Sequence, residues 1–282
     1  MFNIRKIFGA VLIGLLVALL TTSCFPERKL AKQFIAKPDK GRILLLLPEF
    51  TFKFNLKAFE IENAETLDTF TLDSLLFERS LFLKYIDDSI LFEKFSQQMK
   101  RELAEIGYTV FPASATELFF DSELPGYIVN LAQVQLDEDI ESVFGIFPDY
   151  ADYIGEDVWL NKIIMSVWFE VSGVNRAGFP KNVLYADIVV ADGFDGRLRY
   201  LPISGEYRFL YSIDSIVLSD VYELAAEAGR RYASYLNDYL METYIDAGLK
   251  TSGKNRRLEP FHFDTQSRQI RRAGDRRFIV ME

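Results

Sequence analysis

The sequence predicts an α+β fold, a mainly antiparallel sheet with two principal helices packed on one face. Three observations carry that prediction. Strand-like segments follow one another between Tyr127 and Tyr211 without the crossover helices that a parallel sheet requires. One capped amphipathic helix precedes them and a long one follows. Apolar residues make up 49% of the 282 residues and charged residues 26%, ordinary globular usage that excludes disordered and fibrous classes. No internal repeat is visible, so residues 41–247 read as one domain.

The elements follow in order. Residues 42–48 form an apolar run ended by Pro48, the pattern of a strand buried on both faces. Residues 50–57 then alternate strictly, with Phe50, Phe52, Phe54 and Leu56 on one face and Thr51, Lys53, Asn55 and Lys57 on the other. That alternation predicts a half-buried strand or extended arm. Residues 61–71 are acidic and mixed and read as a loop, whereas residues 73–85 are roughly helical in spacing yet apolar nearly all round. Next, Asp87, Asp88 and Ser89 offer N-caps, and Phe92, Phe95, Met99, Leu103 and Ile106 recur at helical steps up to Gly107, a C-cap glycine. Strands are predicted over residues 108–111, 127–136, 162–172, 183–190 and 205–211, with a turn at 175–178. The last predicted helix starts at Ser219 or Asp220 and runs to about Ile245. It buries Val221, Leu224, Ala225, Ala228, Tyr232, Leu236, Tyr239 and Leu240, and Gly248 ends it.

Composition narrows the chemistry. One cysteine permits no internal disulfide and no cysteine metal cluster, and one histidine, His262, excludes most zinc sites and most imidazole-based nucleophilic machines. Asp137, Glu138, Asp139 and Glu141, echoed by Asp149, Asp152, Glu156 and Asp157, are oxygen-rich enough for a calcium site, but they lack the glycine and closing Glu of an EF-hand loop. They read as a solvated acidic loop. No carboxylate pair stands out for glycoside hydrolysis. Trp159, Trp168, Tyr150 and Tyr153 are the candidates for a sugar-stacking platform, against a reading in which the aromatic residues simply fill the core. The sequence therefore assigns no catalytic residue, no cofactor and no metal ligand, and the expectation is that the protein is not an enzyme.

Both ends differ from the body. Arg5 and Lys6 precede an uncharged run from Ile7 to Leu20, too short for the roughly 20 residues of a membrane span, and Thr21, Thr22 and Ser23 lead to Cys24. Small residues followed by cysteine resemble the lipobox of bacterial lipoproteins. The resemblance covers residues 5–24 and departs at Thr21, where the family usually has Leu; here Leu20 stands one earlier. It implies that residues 1–23 are a signal peptide, that Cys24 is acylated (with palmitate among its chains), and that residues 24–40 are a tether. Two or more acyl chains hold a protein on a membrane persistently. Phe25 stands where the inner-membrane retention signal of enteric bacteria places Asp, which implies lipid anchoring at the outer membrane; whether the body faces the periplasm or the cell surface is left open by the sequence, with the periplasmic face the expectation. An uncleaved anchor or a plain secretory signal is the alternative.

Residues 248–282 hold nine Lys/Arg against four acids, a net of +5; with the +2 of the leader, the overall −9 leaves −16 on residues 25–247. The apolar residues here are scattered, too few to offset an ordering cost of roughly 1–2 kcal/mol per residue, so the stretch reads as a disordered tail dispensable for folding. Arg268, Arg271, Arg272, Arg276 and Arg277 are its candidate partner or lipid contacts. Nucleic acid is not expected, since the acidic body repels polyanions.

The lipobox and the element order over residues 41–247 together resemble the auxiliary lipoproteins of ABC-type transport systems and the lipoprotein partner of the lipopolysaccharide translocon. That resemblance implies a non-enzymatic adaptor or assembly factor of an envelope complex, with a protein partner in the envelope. Only Cys24 carries over as a residue. A surface glycan-binding lipoprotein or a carbohydrate-active enzyme is the alternative.

Overall fold

The computed structural model of the chain describes residues 26–144, 157–252, 259–265 and 267–281. Two compact units emerge, one drawn from Gly41–Leu236 with Arg276–Glu282 and the other from Met1–Lys40 with Asn237–Asp275. The fold is α+β with a mostly antiparallel strand pairing, as the sequence predicts.

The larger unit is built on a seven-stranded sheet. Its strands are β1 (Gly41–Leu46), β2 (Phe52–Asn55), β3 (Tyr108–Pro112), β4 (Gly126–Phe144), β5 (Asp157–Val174), β6 (Asn182–Ala191) and, from the far end of the chain, β11 (Ile279–Met281). The order is β11-β6-β5-β4-β1-β3, with β2 also pairing β4. The long pairings β4–β5 and β5–β6 are antiparallel, while β1 runs parallel to both β3 and β4. Strands β7 (Gly193–Leu201) and β8 (Glu206–Asp214) form a separate antiparallel hairpin.

Helices α2 (Thr69–Arg79), α3 (Asp88–Ile106) and the short α4 (Thr116–Phe120) belong to it, as does the long α5 (Leu218–Thr251) up to Leu236; from Asn237 onward α5 belongs to the smaller unit. Helix α3 starts where Asp87 accepts from the N–H groups of Ser89 and Ile90 and ends at Gly107 in the left-handed region, φ 111°. On β5 the alternation puts Ile163, Met165, Val167, Phe169 and Val171 into the core. Tyr232 of α5 stacks on Phe169 at 6.0 Å between centroids and meets Phe95 of α3 at 5.9 Å, so both principal helices cover the same sheet face. Its hydroxyl lies 3.0 Å from the carbonyl of Ala186, and burial pushes the phenol well above its ordinary pKa. Gly229 makes the helix crossing close: a Cβ there would stand 2.1 Å from the carbonyl oxygen of Phe95.

Four expectations are corrected. The acidic residues 137–141 are not a loop, because β4 continues to Phe144 in register with β5. The alternation of a strand turns Glu138 inward and leaves Asp137 and Asp139 on the opposite face. Residues 61–71 are not all loop either, since α2 begins at Thr69, capped by Asp68. Gly248 does not end α5; the helix runs on to Thr251. A side chain at Gly248 would stand 3.0 Å from Leu30, so glycine serves there as a point of close approach.

The fourth correction concerns the ends. Within the expected tether, residues Pro26–Ile35 form helix α1, started by a proline where a missing N–H costs nothing. In the smaller unit Phe34 packs on Tyr244 at 5.6 Å, and Lys40, its pKa lowered by burial, donates to the carbonyls of Phe34 and Ile35. The expected disordered tail also holds structure. Strands β9 (Phe261–Asp264) and β10 (Gln269–Arg272) pair antiparallel, and the N–H of Phe263 donates to Asp238 of α5 at 2.9 Å. In the larger unit, β11 pairs β6 and Phe278 is buried against Tyr235. The ordering cost of an isolated tail is the wrong reference, because these strands add to surfaces already formed. Residues 253–258 lie outside the described residues.

Candidate functional site

Strand β2 is inside out. Its aromatic face is exposed, with Phe50 57%, Phe52 39%, Phe54 39% and Leu56 51% accessible, while Thr51, Asn55 and Lys57 are 7%, 6% and 2% accessible. Apolar side chains normally take the inner phase of such an alternation, each contributing about 1.5–3 kcal/mol when buried. The polar face wins here because every inward group finds a partner, and a satisfied buried polar group carries little of its desolvation penalty.

The partners are specific. Thr51 donates through its hydroxyl to Asp88 at 2.7 Å and through its N–H at 3.1 Å, and Lys53 bridges the same carboxylate at 2.9 Å. Burial of Asp88 works to raise its pKa, but the hydrogen bonds from Lys53 and Thr51 outweigh it and hold the carboxyl below its ordinary value. Asn55 donates to the carbonyl of Leu76 in α2. Deepest of all, the Lys57 ammonium lies 2.9 Å from Glu138, which is wholly buried and also accepts from the N–H groups of Leu81 and Phe82 at 2.8 and 3.0 Å. Lys57 donates further to Asn161, which in turn donates to Asp192; Asp192 takes the N–H of Ile216. One chain of polar contacts therefore ties the residues after β2, the 80–83 turn, β4, β5 and the segment leading into α5 together.

Beside this network lies an open cleft of about 510 Å³ lined by Phe59, Glu60, Ile140, Trp159 and Asn161. Trp159 is 60% accessible, and Phe59, also exposed, shares the lining with it. The chain from Ala58 to Glu78 carries six acids and no Lys or Arg. In α2 only Leu76 is buried, leaving Phe70 83% accessible and Leu75 and Phe77 exposed as well. Arg79 donates to the carbonyl of Glu60, which joins the end of α2 to the edge of the cleft. The site combines an aromatic cleft with a neighbouring segment of exposed apolar side chains and six acids, and exposed apolar groups gathered in this way mark an interaction surface.

The sequence-derived candidates fall elsewhere. Cys24, Asp149, Tyr150, Asp152, Tyr153 and Glu156 lie outside the described residues. Arg268, Arg271 and Arg272 sit on the β9–β10 hairpin of the smaller unit, Arg272 bridged to Glu259 at 2.9 Å. Arg276 and Arg277 belong to the larger unit, where Arg277 stands over Tyr235 at 5.0 Å and donates to Ser234. Trp168 is half-buried and packs on Tyr185 in the sheet, whereas Trp159 is exposed at the cleft. Among the described residues no three His, Cys, Asp or Glu side chains come together as a metal site, and no helix is long and apolar enough to cross a membrane.

Sequence reasoning missed Lys57, Phe59, Glu60 and Asn161, and read Glu138 as part of a solvated acidic loop. The usable signal was the pair of lysines inside the polar phase of 50–57, followed by twenty-one residues without a cation. No protein-family model matches the chain, and no curated protein matches its sequence.

Proposed function

We propose that this protein is a lipid-anchored lipoprotein of the outer membrane, held through acyl chains on Cys24, that acts as a non-enzymatic adaptor or assembly factor of an envelope complex. One observation carries the binding half of that reading: strand β2 and its flanking residues present Phe50, Phe52, Phe54 and Leu56 to solvent while the polar residues of the alternation are clamped inside. An aromatic face maintained outward against the hydrophobic effect is explained by a partner that covers it. The anchoring half rests on the leader and on Cys24 as the only cysteine. Co-purification after gentle solubilisation tests the adaptor role; the expected result is a stoichiometric envelope protein that is lost when Phe52 and Phe54 are both changed to Ser. Mass spectrometry tests the anchor. A chain beginning at an acylated Cys24 is expected, and an intact chain retaining Met1 contradicts it.

A surface glycan-binding role is the second reading, favoured by the exposed rings of Trp159 and Phe59 at the cleft. Recovery of the protein alone, with retention on an envelope polysaccharide that Trp159→Ala abolishes, replaces the first reading with this one.

A further inference from the structure

We infer that the cleft and the adjoining 58–81 surface receive a cationic amphipathic segment of the partner protein, with one arginine or lysine side chain of that segment seated between Trp159 and Phe59. The inference rests on the adaptor reading and adds the chemistry of what binds. Three features point the same way. Exposed Trp159 and Phe59 both line a cleft of about 510 Å³, a volume that accepts a long side chain, and Glu60 in the same lining supplies the opposite charge. The lining residue Asn161 is already committed to Lys57 and Asp192, and the Lys57 charge is matched by Glu138, so this part of the lining does not repel a cation. Beyond the cleft, the apolar groups Phe70 and Phe77 lie within residues 58–78, which carry six acids and no Lys or Arg. With Arg79 as the one cation at its margin, donating to the Glu60 carbonyl, the 58–81 surface keeps a net negative charge, which selects a partner that is apolar on one face and basic on the other.

The competing occupants fit less well. An anionic membrane surface satisfies exposed Phe and Leu side chains but meets six carboxylates of its own sign. A second copy brings the same acidic face, so a symmetric contact sets like charges against each other.

The test uses the purified full-length protein and a labelled amphipathic peptide of about five helical turns, Leu and Phe on one face and Arg on the other. Binding is followed by peptide anisotropy, and independently by the emission of Trp159 in a Trp168→Phe background. Saturable binding that weakens with added salt is expected, with a blue shift of Trp159 as it leaves water. Trp159→Ala is expected to weaken binding about tenfold, and Glu60→Gln to weaken it several-fold while flattening the salt dependence. The unrelated surface change Lys181→Ala leaves it unaltered, and circular dichroism confirms that each variant is folded. The inference is overturned by absence of binding, by equal binding of the same peptide with Glu in place of Arg, or by indifference to both Trp159→Ala and Glu60→Gln. A Trp159 blue shift on anionic vesicles without peptide overturns it in favour of a membrane-facing surface, and concentration-dependent self-association through this face overturns it in favour of a second copy. Failure here with an envelope protein still co-purifying removes the inference and leaves the adaptor reading intact; peptide binding by a protein recovered alone does the reverse.

Discussion

Strands β1 and β2 are consecutive, both run parallel to β4 along the same edge, and they bury opposite kinds of residue. β1 hides Ile43, Leu44 and Leu45 in the core in the ordinary way, held by dispersion and the removal of apolar surface from water. β2, with the residues that flank it, hides Thr51, Asn55 and Lys57 and turns its phenylalanines outward. The lesson is that alternation fixes two faces but does not say which one is buried. Directional partners decide it: Glu138, Asp88 and the Leu76 carbonyl are placed where only donors satisfy them.

If that account is right, the two strands break differently. Removing one member of the buried ion pair strands the other: Lys57→Met is expected to cost about 3–5 kcal/mol in denaturant unfolding. The double change Lys57→Met with Glu138→Leu recovers only part of it, because the N–H groups of Leu81 and Phe82 then lose their acceptor. In β1, Leu44→Ala is expected to cost about 2–5 kcal/mol through a cavity, with no dependence on pH or salt.

Acid separates the strands next. Asp88 titrates below its ordinary value of 3.8 when folded, so the unfolded chain takes up the proton first. The stabilisation it gives is complete above that value and is lost as pH falls beneath it. Hydrogen exchange at falling pH is expected to show β2 amides opening before those of β1, and Asp88→Asn is expected to open β2 already at neutral pH. The smallest effect on stability is predicted on the outward face, where Phe54→Ser changes unfolding by no more than about 0.5 kcal/mol while weakening partner association. A large loss of stability from Phe54→Ser would erase the contrast between the strands.

Much of the scaffold is legible in the sequence because local and global signals agree. Asp87, the apolar period from Phe92 to Ile106, and Gly107 define α3; the alternation of 163–171 defines the buried face of β5; the stripe centred on Tyr232 defines α5. The candidate site is not legible in the same way. Glu138 sits among acids that read as a solvated loop, and only its register opposite Ile163 reveals that it faces inward. Lys57 reads as a surface lysine until Glu138, 81 residues away, supplies its partner. The strands after Gly248 were hidden for a related reason: β11 contributes three residues that mean little alone and become a strand beside β6.

The most direct measurement is site-specific photo-crosslinking in cells that produce the protein, with a photoreactive phenylalanine at position 52 or 54 and, as a control, at Lys181. The account predicts the same protein adduct from Phe52 and Phe54 and none from Lys181. No protein adduct from either phenylalanine position, or adducts to lipid alone, contradicts it.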